Sequence, residues 1–176
     1  MRVLQRLLSI SGIFPAVLLA SLLLSSCSSN KVQSVVPFKV PISIEAADDI
    51  NQYGDGRARS VVVRIYQLTE PGPFENAEFL DLFQSDKLLL ADSLVDVLYL
   101  DPLIPGSQRD ITLDVQVQTR YLAVLAEFAD YINAQSKSLA ALSETPDKYP
   151  AYIRLNGQAV TLTVTQPQPK KHWWQK

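Results

Sequence analysis

A chain of 176 residues, 47% hydrophobic and 19% charged, has the composition of an ordinary globular domain with one core, which excludes a disordered or wholly membrane-embedded protein. The net charge is -2, and residues 1–26 carry Arg2 and Arg6 with no acid, so the remainder sets 14 basic against 18 acidic residues, 14 − 18 = −4, and lacks the basic face that nucleic acid requires. A single cysteine excludes an internal disulfide and any cysteine-based metal cluster, so the core alone must hold the fold.

The amino terminus has the order of an export signal: two arginines within residues 1–6, then an uncharged stretch, 7–24, rich in Leu, Ile and Val. Gly12, Pro15 and the serines argue against a transmembrane helix there, and the small residues before Cys27 argue for a cleavage site. Leu24-Ser25-Ser26-Cys27 resembles the lipobox of bacterial lipoproteins. That resemblance implies removal of residues 1–26, a diacylglycerol thioether on Cys27 and an acyl chain on its new amino group, and no other cofactor. A thiolate suits such an alkylation. At about 0.8 kcal/mol per buried methylene, several acyl chains give durable attachment where one chain holds only marginally. By resemblance to enterobacterial sorting rules, Ser28 stands where an aspartate would signal retention at the inner membrane, which implies the outer membrane as the expected destination. Residues 27–37 then form a lipidated tether, 38–165 a folded domain and 166–176 a flexible tail.

Strand signals follow. Residues 38–46 (FKVPISIEA) alternate, and 61–68 (VVVRIYQL) are dense in β-branched and aromatic side chains. Residues 76–83 read as a short helix with Asn76 as N-cap, Glu78 near the positive end of the dipole, and Phe79, Leu82 and Phe83 on one face across the sheets. In 111–118, Ile111, Leu113, Val115 and Val117 alternate with Thr112, Asp114, Gln116 and Gln118, predicting one buried and one wet face. Residues 121–131 (YLAVLAEFADY) fit helical spacing as well and are read as a buried strand. Segments 152–155 and 159–165 flank Asn156-Gly157, the strongest short-range hairpin signal, and should pair. Strands without a βαβ rhythm, plus one helical insertion, predict an antiparallel two-sheet β-sandwich.

Chemistry is sparse. The single histidine, His172, lies in the tail QPQPKKHWWQK, away from any packed site that a catalytic imidazole needs. Asp81, Asp86, Asp92 and Asp96 invite a carboxylate hydrolase, but charges around a helix usually form a solvated face. In 49–60, Asp49, Asn51 and Gly54 fall at calcium-loop positions 1, 3 and 6, yet Tyr53 and Ser60 occupy the positions that need an oxygen donor and a bidentate glutamate. What remains at 47–60 is a connection longer than a hairpin needs, and long loops on rigid sheets tend to bind. Trp173 and Trp174 beside Lys170 and Lys171 leave two readings, contact with a membrane interface or a disordered end.

Read together, the lipobox, the block N-x-x-G-D-G-R-A-R-S-V-V-V-R-I-Y-Q-L from Asn51 to Leu68 and F-x-x-A-x-F-x-x-L from Phe74 to Leu82 resemble the outer-membrane lipoproteins of type VI secretion, the TssJ (SciN) family. Pro105-Gly106 and the run beginning at Tyr121 are similar to the family's proline-glycine turn and Y-L-G-V-x-A strand. The resemblance implies a transthyretin-like sandwich, no catalysis, and a periplasmic partner: the carboxy-terminal domain of the inner-membrane protein TssM, which works with TssL. It implicates the 47–60 loop in that contact, with Asp49, Asn51, Tyr53, Asp55 and Arg57 as candidates and Tyr53 as the best hot-spot type. The competing reading is an outer-membrane lipoprotein of another class, an assembly pilot or a small-ligand binder with a pocket between sheet and helix.

Overall fold

The computed structural model describes residues 36–166. Cys27, the export signal, most of the tether and the tail tryptophans lie outside the described residues.

Eight strands form two four-stranded sheets. In chain order they are β1 (Phe38–Ala46), β2 (Val63–Leu68), β3 (Leu94–Tyr99), β4 (Gln108–Val115), β5 (Tyr121–Ala126), β6 (Lys137–Ala141), β7 (Ala151–Asn156) and β8 (Ala159–Val164). One sheet has the order β4-β1-β7-β8 and the other β3-β2-β5-β6. All neighbours are antiparallel except β1 and β7, which run parallel with Ile42 beside Ala151 and Ala46 beside Leu155. The sandwich expected from the sequence is therefore present, with one parallel pairing inside it.

Period-two patterning explains the sheet that is wet on one side. In β1, Val40, Ile42, Ile44 and Ala46 are buried while Lys39, Pro41 and Glu45 are exposed. β7 alternates in the same way, Ala151, Ile153 and Leu155 inward and Tyr152, Arg154 and Asn156 outward. These side chains meet Val63, Ile65, Leu122 and Val124 of the other sheet in the main core. β2 departs from alternation because all six of its residues are buried. Its second face is covered by a helical insertion between β2 and β3: α1 (Gly72–Asn76) and α2 (Phe79–Leu90), the latter kinked at Ser85. Tyr66, Leu68, Phe74, Leu82, Leu90, Ala123 and Leu125 fill the space between that sheet and the helices, with the Tyr66 and Phe74 rings 5.5 Å apart.

Several boundaries move. Asn76 closes α1 rather than capping the next helix, and Glu78 is the residue before α2. The cause is Pro73, which sits in the first turn of α1, where its missing N–H has no partner to lose. Phe79 and Phe83 share a face as expected, their rings stacked at 5.9 Å, but Phe83 is 43% exposed. β5 ends at Ala126, where the chain turns with the Phe128 N–H donating to the Ala126 carbonyl at 3.1 Å, and the strand read at 111–118 spans 108–115, because the chain turns at 116–120 to cross between sheets. Inside that crossing, buried Gln67 donates from Nε2 to the Asp114 carbonyl at 3.0 Å and accepts at Oε1 from the Gln116 N–H at 2.8 Å and the Thr119 hydroxyl at 3.0 Å. One amide thus ties β2 to the end of β4 in the opposite sheet.

A second buried polar cluster pins the insertion. Arg64 of β2 donates to Glu127 at 2.7 Å and to Asp86 of α2 at 3.0 Å, and its remaining donors reach the Leu82 and Phe83 carbonyls. The Tyr66 and Tyr99 hydroxyls donate to the same Asp86 oxygen at 2.9 and 3.0 Å. Burial works against the Asp86 anion, but the bonds from Tyr66, Arg64 and Tyr99 outweigh it and hold the carboxyl below its ordinary range. Burial and the bond to Asp86 push both tyrosine hydroxyls up. Lys137 closes α1 from below, its ammonium bonding the Phe74 and Glu75 carbonyls at 3.2 and 3.0 Å.

Candidate partner-binding site

The strand directions give the domain two distinct ends. β1 starts at Phe38 at the near end and climbs nine residues, about 30 Å at 3.3 Å per residue, to Ala46 at the far end. The loops 47–60, 100–107, 127–136 and the β7–β8 turn all gather at the far end. Loop 47–60 is rooted before it protrudes. Ile50 is fully buried in the main core, and Asn51, 5% exposed, takes a left-handed φ of 56°, which asparagine tolerates better than most residues. The Asn51 amide donates from Nδ2 to the Ser60 carbonyl at 2.9 Å and accepts at Oδ1 from the Ala129 N–H at 2.7 Å, while its own N–H donates to the Gly157 carbonyl at 2.9 Å. Asn51 therefore binds the loop to two neighbours and offers little surface. Asp49, exposed beside it, accepts a long bond from the Gly157 N–H at 3.4 Å.

The tip, 52–59, is built around a residue that sequence reasoning passed over. Arg59 donates from Nη1 to the carbonyls of Tyr53 and Arg57 at 3.2 and 2.8 Å and from Nη2 to Asp55 at 2.8 Å, so its guanidinium fills the inside of the turn. Asp55 also accepts the Arg57 N–H at 3.0 Å. That bond and the Arg59 guanidinium keep its carboxyl below the ordinary value of 3.8. With Asp55 and Arg59 joined, Tyr53, 56% exposed, and Arg57, whose side chain is 86% exposed, are the groups turned to solvent. The only sequence-level sign of the Arg59 role was its spacing of four from Asp55.

Ile104 and Ile132, 65% and 78% exposed, lie on two other loops of the same end. Ile104 precedes the Pro105-Gly106 turn, where Gly106 has a φ of 75° and an added Cβ would lie 2.3 Å from the Asp48 Oδ1. The near atom is the movable end of the exposed Asp48 side chain, so it is chiefly the left-handed φ that favours glycine there. An aromatic ring, a guanidinium and two aliphatic side chains on rigidly rooted loops suit contact with a protein surface. Elsewhere chemistry finds little support. Asp86 is fixed as an anion, Asp81, Asp92 and Asp96 are exposed, and the sheet-to-helix space that a small-ligand pocket would use is filled with side chains. Among the described residues no group of three or more His, Cys, Asp or Glu side chains could hold a metal ion, and no helix is long and apolar enough to cross a membrane.

Fold and far end together define a small two-sheet sandwich with a helical cover that presents loops for protein contact. Residues 39–164 match the T6SS-SciN family, described as "Type VI secretion lipoprotein, VasD, EvfM, TssJ, VC_A0113". The chain belongs to that family. Among solved structures it resembles the T6SS lipoprotein TssJ1 from Pseudomonas aeruginosa, with 27% identity and a TM-score of 0.66 over 76% of this chain and 99% of that one. A chain of a structure described as "Type VI membrane complex" matches at 26% identity and a TM-score of 0.63, over 74% and 99%. A chain of a structure described as "T6SS protein TssM C-terminal domain (869-1107) from EAEC" matches at 28% identity and a TM-score of 0.60, over 70% and 99%. No curated protein sequence matches the chain.

Proposed function

We propose that this protein is the lipid-anchored adaptor of a type VI secretion membrane complex, binding the periplasmic carboxy-terminal domain of TssM through its far-end loops and tying it to the outer membrane through Cys27. The observation that carries the reading is the family match across nearly the whole folded domain. The likeness to chains in the type VI membrane complex and in the TssM domain structure supplies the partner. The role is mechanical, with no catalytic step: acyl chains hold one end, and Tyr53 and Arg57 give specificity at the other.

The strand layout suits this division of labour, since β1 separates the tether's point of attachment from the loop by about 30 Å. A partner can then be gripped without crowding the bilayer. Substituting Tyr53→Ala with Arg57→Ala should weaken co-purification with TssM at least thirtyfold, as loss of a central aromatic and an arginine anchor does. Undiminished co-purification moves the interface off this loop. Cys27→Ser should leave the fold unchanged and release the protein from membrane pellets, and persistent outer-membrane fractionation would reject the anchor.

A further inference from the structure

We propose that a recess between the helical insertion and the 127–136 loop receives an arginine side chain of the TssM domain, so that the partner's contact extends from the far-end loops onto α2. The proposal rests on the reading of TssM as the partner. The recess has a volume of about 350 Å³ and is lined by Glu75, Glu78, Phe79, Tyr131, Ile132 and Lys137. Two of these residues form a stacked pair: the rings of Phe79, at the start of α2, and Tyr131, on the loop, lie 5.0 Å apart and within 14° of parallel. Glu75 and Glu78 supply two exposed carboxylates, and Ile132 adds an aliphatic side chain that is 78% exposed. Lys137 offsets one of the two charges, but its ammonium is committed to the Phe74, Glu75 and Ala77 carbonyls. Asp81 adds a third exposed carboxylate, and no basic residue occurs between Gly72 and Asp86. Ser136, 5% exposed, also lines the recess, and its hydroxyl has no hydrogen-bond partner among the described residues.

A flat cation suits this set of groups. A guanidinium can lie on an aromatic face and donate two parallel bonds to a carboxylate, whereas an ammonium acts as a point charge. The domain already uses that arrangement with its own Arg64, whose guanidinium carbon lies 5.4 Å from the Phe83 ring centroid. Phe83 stacks on Phe79 at 5.9 Å, so the row of rings that ends at the recess serves a guanidinium at its other end. An anion entering the recess would meet Glu75 and Glu78, and an apolar group would strip water from both carboxylates without replacing it. The place of the recess names the bearer of the arginine. Ala129, two residues before Tyr131, donates its N–H to Asn51 Oδ1 at 2.7 Å. The loop that walls the recess is thus bonded to the root of loop 47–60, and one partner face can cover both. The rival bearer is a second copy of this chain, which exposes Arg57, Arg120 and Arg154. Residues 36–166 hold all 18 acidic residues of the chain but only ten of its 16 basic ones, so pairing two copies sets like charge against like.

The Cys27→Ser protein, which lacks the lipid, is titrated with the TssM carboxy-terminal domain by calorimetry. Glu75→Gln with Glu78→Gln should weaken binding about tenfold and flatten its dependence on salt. Tyr131→Leu should weaken it to a similar extent, while Tyr131→Phe, which keeps the ring, should match the unaltered protein. Thermal denaturation of each variant reports the fold separately. Unchanged affinity in the glutamine and leucine variants, with the Tyr53→Ala, Arg57→Ala protein impaired, overturns the recess contact and leaves the partner reading standing. The opposite pattern keeps the recess contact and moves the remaining interface off the loop tip. An unaltered protein that does not bind the TssM domain removes the partner reading, and the recess contact with it. Self-association in sedimentation velocity that the glutamine variant abolishes would seat a second copy's arginine in the recess and likewise overturn the proposal.

Discussion

Removing the charge from Asp86 tests how the helical insertion is held. The carboxylate is 7% exposed and accepts four bonds: from Arg64, Tyr66 and Tyr99 on Oδ2, and from the Lys87 N–H on Oδ1 at 2.7 Å. In Asp86→Asn the amide oxygen can serve the Oδ2 cluster, but the amide nitrogen then confronts the Lys87 N–H, two donors facing each other. Loss of one partner from a buried ion pair costs about 3–5 kcal/mol. Arg64 keeps Glu127 at 2.7 Å, which sets the expected value at the low end, about 3 kcal/mol, or roughly a 10 °C fall in Tm for a domain of this size. Urea unfolding of the Cys27→Ser background measures it. The pH dependence gives an independent check. The folded-state pKa of Asp86 lies below its ordinary value of 3.8, so the stabilisation from its charge is complete above 3.8 and is lost as pH falls through the folded value. The two proteins should therefore differ most at neutral pH and converge in strong acid. A difference under about 0.5 kcal/mol at pH 7, the size of an ordinary surface substitution, would refute the reasoning, as would a gap unchanged at pH 2.5.

Three further outcomes follow from the geometry. Gly106→Ala combines a φ of 75° with a Cβ 2.3 Å from Asp48 Oδ1 and should lower stability by about 1–3 kcal/mol; adding Asp48→Ala should recover the clash but not the backbone strain, as thermal denaturation of single and double variants would show. Gln67→Leu keeps the volume but strips partners from Asp114, Gln116 and Thr119, so unfolding free energy should fall by about 2–3 kcal/mol, and a neutral result would mean that water replaces the amide. Asn51→Ala should destabilise the domain by about 2 kcal/mol and raise amide exchange at Ala129, whereas Asn51→Gly should match the alanine variant in exchange but lose less stability, because glycine accepts the left-handed φ of 56°.

Much of the strand framework was legible in advance because its signal is local. The bounds of β1 match the alternating run at 38–46, and Asn156-Gly157 joins β7 to β8 as the hairpin signal requires. Two strands gave no such notice. β6, Lys-Ser-Leu-Ala-Ala, has weak strand propensity and exists through its pairing with β5 on one side and contact with β8 on the other. β3 follows a helix and exposes Leu98 and Tyr99, which hides its alternation. At the candidate site the loop's extent, with Tyr53 and Arg57 at its tip, could be read from the residues, but that the 100–107 and 127–136 connections end at the same end of the sandwich is decided by the strand pairing.

Residue order alone settled most of the strands (β1, β2, β4, β5, β7 and β8), that Cys27 follows an export-type stretch, and that no imidazole or thiol lies within residues 38–165, since each depends on the residues themselves and neighbours a few positions apart. Tertiary structure decided the rest. Whether Arg64 of β2 is wet or buried depends on a helix that covers the sheet's second face, and whether Asn51 meets a partner or holds a loop depends on Ala129, 78 residues away. The parallel pairing of β1 with β7 sets which end carries the loops, and nothing in either strand encodes that choice. Burial and proximity are properties of the packed chain, so side chains of identical local character take different roles according to what the fold lays over them.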